Sequence, residues 1–232
     1  MKYHPVANGL MLVGLLSLGP VCIAGLRPEV SVLIVNADDG EATINIKNVD
    51  PAPVMLLTKI GHIDEDKANL LTIMPPLARV EANATKQVRF VLTGDRDFRV
   101  QRLQRVYFAG LPIRAVVGNT FEEGERQSLP VIINPKGLAK KRDPWTLLQW
   151  RVINHQLVVN NLSPYVVCLA QAVVVLPDKQ KLLLPRDYVL PGEQLSLQAS
   201  HQAALADLSK ITFYPADIYG DVVGSYTADV GK

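Results

Sequence analysis

No long stretch of this chain spaces its apolar residues at the 3.6-residue period of a buried helix face. Short runs of β-branched and aliphatic residues recur instead, each closed by turn chemistry. That pattern is the strongest constraint on what the chain can fold into. "EVSVLIVN" is closed by "ADDG", "EATINIKN" by "VDPAP", and "VMLLTKI" by a charged loop. "RVYFAGLPIRAVV" follows, then the acidic loop "GNTFEEGE" and the run "SLPVIINP". Strands at this spacing predict an antiparallel sandwich. Pro75 and Pro76 stand before a further alternating segment. Proline cannot donate to a sheet ladder, so the pair marks a break and fixes the angle at which the next strand begins. The spacing beyond it predicts a hairpin. Leu77–Val80 would form one arm, Glu81–Lys86 the turn, and Val88, Phe90 and Leu92 the inward face of the other arm.

With 232 residues the chain is long enough for two medium domains. The stretch 134–145, "NPKGLAKKRDPW", combines Pro, Gly and four basic residues without apolar alternation and reads as a linker. A second strand series follows it in "LLQWRVINHQLVVNN", "YVVCLAQAVVVL", "KLLLP", "EQLSLQA" and "KITFYPADIYGD". "HQAALADL" reads either as a turn or two of helix or as a loop, and no internal repeat is detected. Residues 1–24 differ from the rest. Lys2, the apolar run Leu10–Leu18, a Gly19-Pro20 break and Cys22-Ile23-Ala24 give the layout of a cleaved secretory signal peptide. A membrane anchor fits less well, because the run is short and broken. The expected organisation is therefore a signal peptide at 1–24, a β domain at 25–135, a basic linker at 136–144 and a second β domain at 145–232.

Chemistry is scarce. A net charge of +2 and the lack of a basic stripe interleaved with aromatics argue against nucleic acid as a partner. Removal of the leader leaves Cys168 as the single cysteine, so no internal disulfide is expected, and Cys168 reads as an inert core thiol. His4, His62, His155 and His201 lack companions at metal spacing, and no phosphate-cradling loop or nucleophile elbow is present. The carboxylates of "DDGE" (38–41) and "DEDK" (64–67) read as acidic surface turns. No cofactor, no metal and no enzymatic activity are expected.

Binding remains. In "SLPVIINP", Leu129, Val131 and Ile133 alternate and project from one face of an extended chain. Two readings stay open. The segment is either an interior strand packing its own domain, or an edge whose free N–H and C=O groups pair with another protein while the aliphatics fill its pockets. Pro130 removes one ladder donor under either reading.

Several stretches, in order, resemble the PapD-like periplasmic pilus (fimbrial) chaperones of the chaperone–usher pathway. They are "ATINIKNVDPAPVMLL", "MPPLARVEANATKQVRF", "RVYFAGLP", "NNLSPYVV", "VLPGEQ" and "DIYGD". The resemblance spans nearly the whole chain after the leader. It implies an all-β protein of two immunoglobulin-like β-sandwich domains arranged as a boomerang with an interdomain cleft. It also implies a periplasmic, non-enzymatic role, in which the last strand of the first domain is lent to pilus subunits (pilins) until an outer-membrane usher takes them over. Self-association of free molecules is a further expectation. The donor-strand positions then fall on Leu129, Val131 and Ile133 and, farther up, on Phe121, Glu123 and Glu125. The family's Arg and Lys that hold a subunit's C-terminal carboxylate align with Val32 and Pro130, which cannot do so. This marks a divergent member and leaves Arg126, Arg89, Lys136, Lys140 and Lys141 as candidate anchors. A structural pilus subunit or adhesin with the same kind of domain is the alternative.

Overall fold

A computed structural model describes residues 25–94, 97–113, 126–199, 208–216 and 221–231. The first domain holds β1 (Leu26–Pro28), β2 (Leu33–Asn36), β3 (Glu41–Asn48), β4 (Val54–Gly61), β5 (Leu71–Met74), β6 (Leu77–Val80), β7 (Thr85–Leu92), β8 (Arg102–Pro112) and β9 (Arg126–Asn134). They form two sheets, ordered β1-β3-β7-β5 and β2-β9-β8-β4-β6. The inward faces meet in one apolar core that includes Val35, Ile44, Ile46, Val88, Phe90, Val106 and Phe108, each fully buried.

Two of the crossings between the sheets bear on the strand series read from the sequence. Of the run "EVSVLIVN" only Leu33–Asn36 forms a strand, β2, beside β9; β1 precedes the run and pairs with β3 in the other sheet. The second crossing lies at Pro75-Pro76, between β5 and β6, which end their respective sheets. The expected hairpin of Leu77–Val80 with the following strand does not form. β6 pairs with β4, whereas β7 pairs with β3 and β5 in the opposite sheet. The turn expected over Glu81–Lys86 is shorter, with Asn83 at φ 59° and β7 already begun at Thr85. Its role is to carry the chain across the sandwich. Val88, Phe90 and Leu92 do face inward, as the alternation predicts.

After a short 3-10 turn (Pro144–Leu147), the second domain holds β10 (Gln149–Ile153), β11 (Gln156–Asn161), β12 (Val167–Cys168), β13 (Ala172–Leu176), β14 (Lys181–Leu183), β15 (Tyr188–Val189), β16 (Glu193–Ser196), β17 (Gln198–Ala199), β18 (Lys210–Phe213) and β19 (Tyr226–Gly231). Eight strands run in the order β16-β11-β10-β19-β18-β13-β14-β17, and β12 pairs with β15. β10 and β11 form a hairpin through Asn154 and His155, both at positive φ, as a tight primed turn requires. The core is centred on Trp150, Phe213 and Tyr226, with ring centroids 5.3 and 5.5 Å apart.

The two domains share a polar device that the sequence reading missed. Asn48 ends β3 and Asn161 ends β11, and both are fully buried. Asn48 Nδ2 donates to Ala52 O (2.9 Å), Val80 O (3.2 Å) and Glu81 O (3.1 Å), while its Oδ1 accepts from Asp50 N. Asn161 Nδ2 donates to Tyr165 O (2.8 Å) and Val189 O (3.1 Å), while its Oδ1 accepts from Ser163 N and Ser163 Oγ. Each amide therefore ties its own outgoing turn to the end of a distant strand. The shared signal is Asn-x-x-Pro, Asn48 to Pro51 and Asn161 to Pro164.

Candidate functional site

β9 is the element on which the binding expectation rests, and its two halves differ. Along its whole length it pairs antiparallel with β8, from Arg126 opposite Ala109 to Ile133 opposite Arg102. On its other side β2 runs parallel to it over Val131–Asn134 alone. The reason lies in the first crossing: residues 29–32 are still passing from one sheet to the other, so β2 begins only at Leu33. From Arg126 to Pro130 the second edge of β9 carries no strand among the described residues. Pro130 stands where that open stretch ends, a place where a missing donor disrupts the sheet least.

The interior reading describes Val131–Asn134, while Arg126–Pro130 is paired on one side only among the described residues. Val131 and Ile133 are fully buried in the core of their own domain, opposite Leu33 and Val35. This corrects the expectation that these two side chains fill a partner's pockets, because their own sandwich already uses them. Leu129 is half-buried at the margin of that core and stands beside the open edge. Phe121, Glu123 and Glu125 lie outside the described residues.

The outward face of the same sheet is apolar too, which the alternation argument overlooked. Ile132 and Leu103, with Val32 and Ile63, pack against Val166 and Tyr188 of the second domain. Val32 is buried in that interdomain cluster, so it contributes apolar area rather than a charge.

The candidate anchors are spread over the molecule. Arg89 projects outward from β7, in the sheet opposite β9, and pairs with Glu41 at 3.5 Å. That position corrects its candidacy. Lys136 is exposed in the turn after β9, beyond its covered end. Lys140 and Lys141 border a cleft of about 180 Å³ with Ile34, Asn36, Asn134 and Tyr165, alongside the covered half. Arg126 opens β9. The cation that the register brings beside the open half is Arg105 on β8, directly across from Pro130. Its guanidinium donates to Ser128 Oγ at 3.5 Å and faces Asp187 at 3.6 Å. No sequence spacing pointed to Arg105, because its neighbourhood is made by strand pairing.

The acidic loop 62–67 is more than a surface turn. Asp66 forms a two-pronged ion pair with Arg102 at 2.5 and 2.6 Å. Burial alone would raise the Asp66 carboxyl, but the bonds and charge of Arg102 and the N–H of Ala68 outweigh it and hold it below the ordinary 3.8. Glu65 accepts from the hydroxyl of buried Tyr188 at 2.8 Å and pairs with Arg186 at 2.7 Å. Burial first, then the bond to Glu65, push the Tyr188 phenol up to about 12. Cys168 packs at the same interdomain cluster, where desolvation and the nearby Asp187 push its thiol up to about 11. A thiol so protonated is a poor nucleophile.

Residues 25–139 match the family "Pili and flagellar-assembly chaperone, PapD N-terminal domain", and residues 143–225 match "Pili assembly chaperone PapD, C-terminal domain". The chain belongs to the PapD-like pilus-assembly chaperones. The fimbrial chaperone YhcA of Escherichia coli K12 is 35% identical over 207 residues, covering 89% of this chain and 91% of that protein. The YadV chaperone superposes with a TM-score of 0.73 at 15% identity, covering 88% of this chain and 99% of its own. A chain of the Salmonella enterica SafA pilin–SafB chaperone complex gives 0.70 at 22% identity, covering 89% and 97%. PapD-like chaperones are non-enzymatic and periplasmic, and the two sandwiches here are their immunoglobulin-like domains.

Proposed function

We propose that this chaperone binds pilus or fimbrial subunits by donor-strand complementation and delivers them to an outer-membrane usher. One observation carries the reading: among the described residues the last strand of the first domain is paired on both flanks only from Val131 onward, which leaves Arg126–Pro130 open on one side. A subunit that lacks a strand exposes an apolar slot and unpaired edges, both aggregation hazards. A guest strand laid along Arg126–Pro130 continues the line of β2 and satisfies backbone groups on both partners, while Leu129 supplies apolar contact. A fully buried leucine contributes about 1.5–3 kcal/mol before the entropy cost of association. Arg105 lies on the other flank of β9 from the guest, across from Pro130, and is paired with Asp187. The likeness to a chain of the SafA pilin–SafB chaperone complex supports the same class of partner. Residues 1–24 would direct export and be removed.

The test is hydrogen exchange on this protein alone and co-purified with the pilin encoded beside it. Amides of 126–129 gain protection in the complex, whereas those of 131–134 are already protected in the free protein. Protection arising only outside β9, or a pilin equally stable without its companion, would overturn the reading.

A further inference from the structure

We infer that Asn83, in the turn between β6 and β7, is an acceptor site for an N-linked glycan, transferred as an oligosaccharide from a lipid diphosphate. Asn-x-Ser/Thr is the tripeptide that N-glycosylation reads, and it marks a surface loop in an exported protein. The chain has two such tripeptides, Asn83-Ala84-Thr85 and Asn161-Leu162-Ser163. The fold treats them in opposite ways.

Asn161 is fully buried, and its Nδ2 already donates to Tyr165 O and Val189 O. Ser163 is buried as well, and its hydroxyl bonds Asn161 Oδ1. An enzyme reaches neither group unless the second domain unfolds. Asn83 is exposed in a turn closed by Ala84 N, which donates to Glu81 O at 3.1 Å. Its φ of 59° lies in the left-handed region, which asparagine enters more readily than other residues that carry a Cβ. Among the described residues no partner holds its side-chain amide. Thr85 opens β7 and is also exposed, so the hydroxyl that completes the tripeptide is accessible with the asparagine.

Glu81 stands two residues before Asn83. Its carboxylate pairs with Arg79 at 2.6 Å, but the two side chains are 62% and 55% exposed, so solvent screens the contact and an enzyme can replace it. The corresponding position before Asn161 is the buried Val159. The accessible tripeptide is therefore also the one preceded by a charge that a transferase can read.

The turn follows β6, the edge strand three places across from β9 in the order β2-β9-β8-β4-β6. Val80 pairs with Val54, which pairs with Pro112 at the end of β8 remote from Leu103 and the interdomain cluster. An oligosaccharide on Asn83 is thus clear of the second domain and of the uncovered flank of β9, and the inference does not depend on the subunit-binding proposal. Transfer forms one bond, from Nδ2 to the anomeric carbon of the oligosaccharide. The carbon–oxygen bond to the diphosphate breaks, the lipid diphosphate leaves with the electron pair, and Nδ2 gives up one proton.

Mass spectrometry tests this on the folded, purified protein incubated with a bacterial oligosaccharyltransferase and undecaprenyl-diphosphate-linked oligosaccharide. The native sequence gains a single oligosaccharide, carried by the peptide that contains Asn83, and Asn161 stays bare. Asn83→Gln and Thr85→Val both abolish the gain. Thr85→Val keeps the asparagine and suits the strand, so it decides the matter if Asn83→Gln does not fold. Glu81→Gln loses most of the modified fraction. A folded protein that gains no oligosaccharide, a gain that survives Asn83→Gln, or a gain untouched by Thr85→Val or by Glu81→Gln would overturn the inference.

Discussion

The last strand of each domain, β9 in the first and β19 in the second, is built on one plan. Each pairs antiparallel with the strand before it, β8 or β18. Each also pairs parallel, over its C-terminal part only, with a strand from the start of its own domain. For β9 that partner is β2 over Val131–Asn134, and for β19 it is β10 over Val230–Gly231. The Asn48 and Asn161 clamps repeat across the domains in the same way. The chemistry of the two uncovered stretches differs. On β19 the outward side chains are Thr227 and Asp229, the latter paired with Lys210 at 3.4 Å, and charge is how proteins blunt an edge. On β9 the uncovered stretch is Arg126–Pro130, with its one charged residue at the start and Ser128, Leu129 and Pro130 toward the covered half. Among the described residues topology leaves an open stretch twice, and the side chains along the two differ.

The contrast within β9 has the largest expected effect. Val131→Asp places a carboxylate among Leu33, Val35 and Val106 with no cation beside it. It should destabilise the first domain by about 4 kcal/mol or more. Leu129→Asp, two residues away on the same face, should cost only about 1–2 kcal/mol and leave the domain folded. The protein's two tryptophans, Trp145 and Trp150, both lie in the second domain. A denaturation curve followed by circular dichroism therefore shows the Val131→Asp loss, while tryptophan fluorescence stays unchanged. Equal effects at 129 and 131 would erase the distinction between the two halves.

The paired clamps come next. Asn161→Ala strands buried backbone carbonyls and should lower stability by about 2–3 kcal/mol, read directly as an earlier tryptophan fluorescence transition. Asn48→Ala should cost a similar amount and leave that signal in place. A shift of the fluorescence transition by Asn48→Ala would show that the two domains unfold as one unit.

Acid gives the smallest effect. The folded Asp66 carboxyl sits below 3.8, so its contribution is complete above that value and is lost as pH falls beneath it. Arg102→Met should remove this acid-dependent part, about 1 kcal/mol, from the first domain alone. An unchanged acid limb in the variant would reject the Asp66–Arg102 pair as its source.

Much of the architecture could be read from residues. Turn chemistry at "ADDG" and "VDPAP" delimited β3, and alternation placed Val88, Phe90 and Leu92 inside. Other features depend on tertiary choices that no local pattern carries. "EVSVLIVN" reads as one run, yet only Leu33–Asn36 of it is a strand, and the short strand before it joins the other sheet. Leu77–Val80 carries a valid strand signal but takes β4 as its neighbour instead of the next strand along. β19 was missed because Thr227, Ala228 and Asp229 lack the bulky alternation that marks a strand. At the binding strand, Leu129, Val131 and Ile133 were found as a set, but only the register of β2 divides them. Ile132, Arg105 and Glu65 escaped notice because their roles arise from what the second domain sets against them. Both Asn-x-x-Pro stretches carried the family resemblance, but neither was read as a buried clamp.

Because β2 starts at Leu33, opposite Val131, any polypeptide joining the uncovered side of β9 meets a fixed stop. From Arg126 to Pro130 the available length is about 17 Å at the usual strand rise. Sliding past it is sterically forbidden, so the frame of alignment is counted back from that stop, and a one-residue slip would turn every visiting side chain to the wrong face.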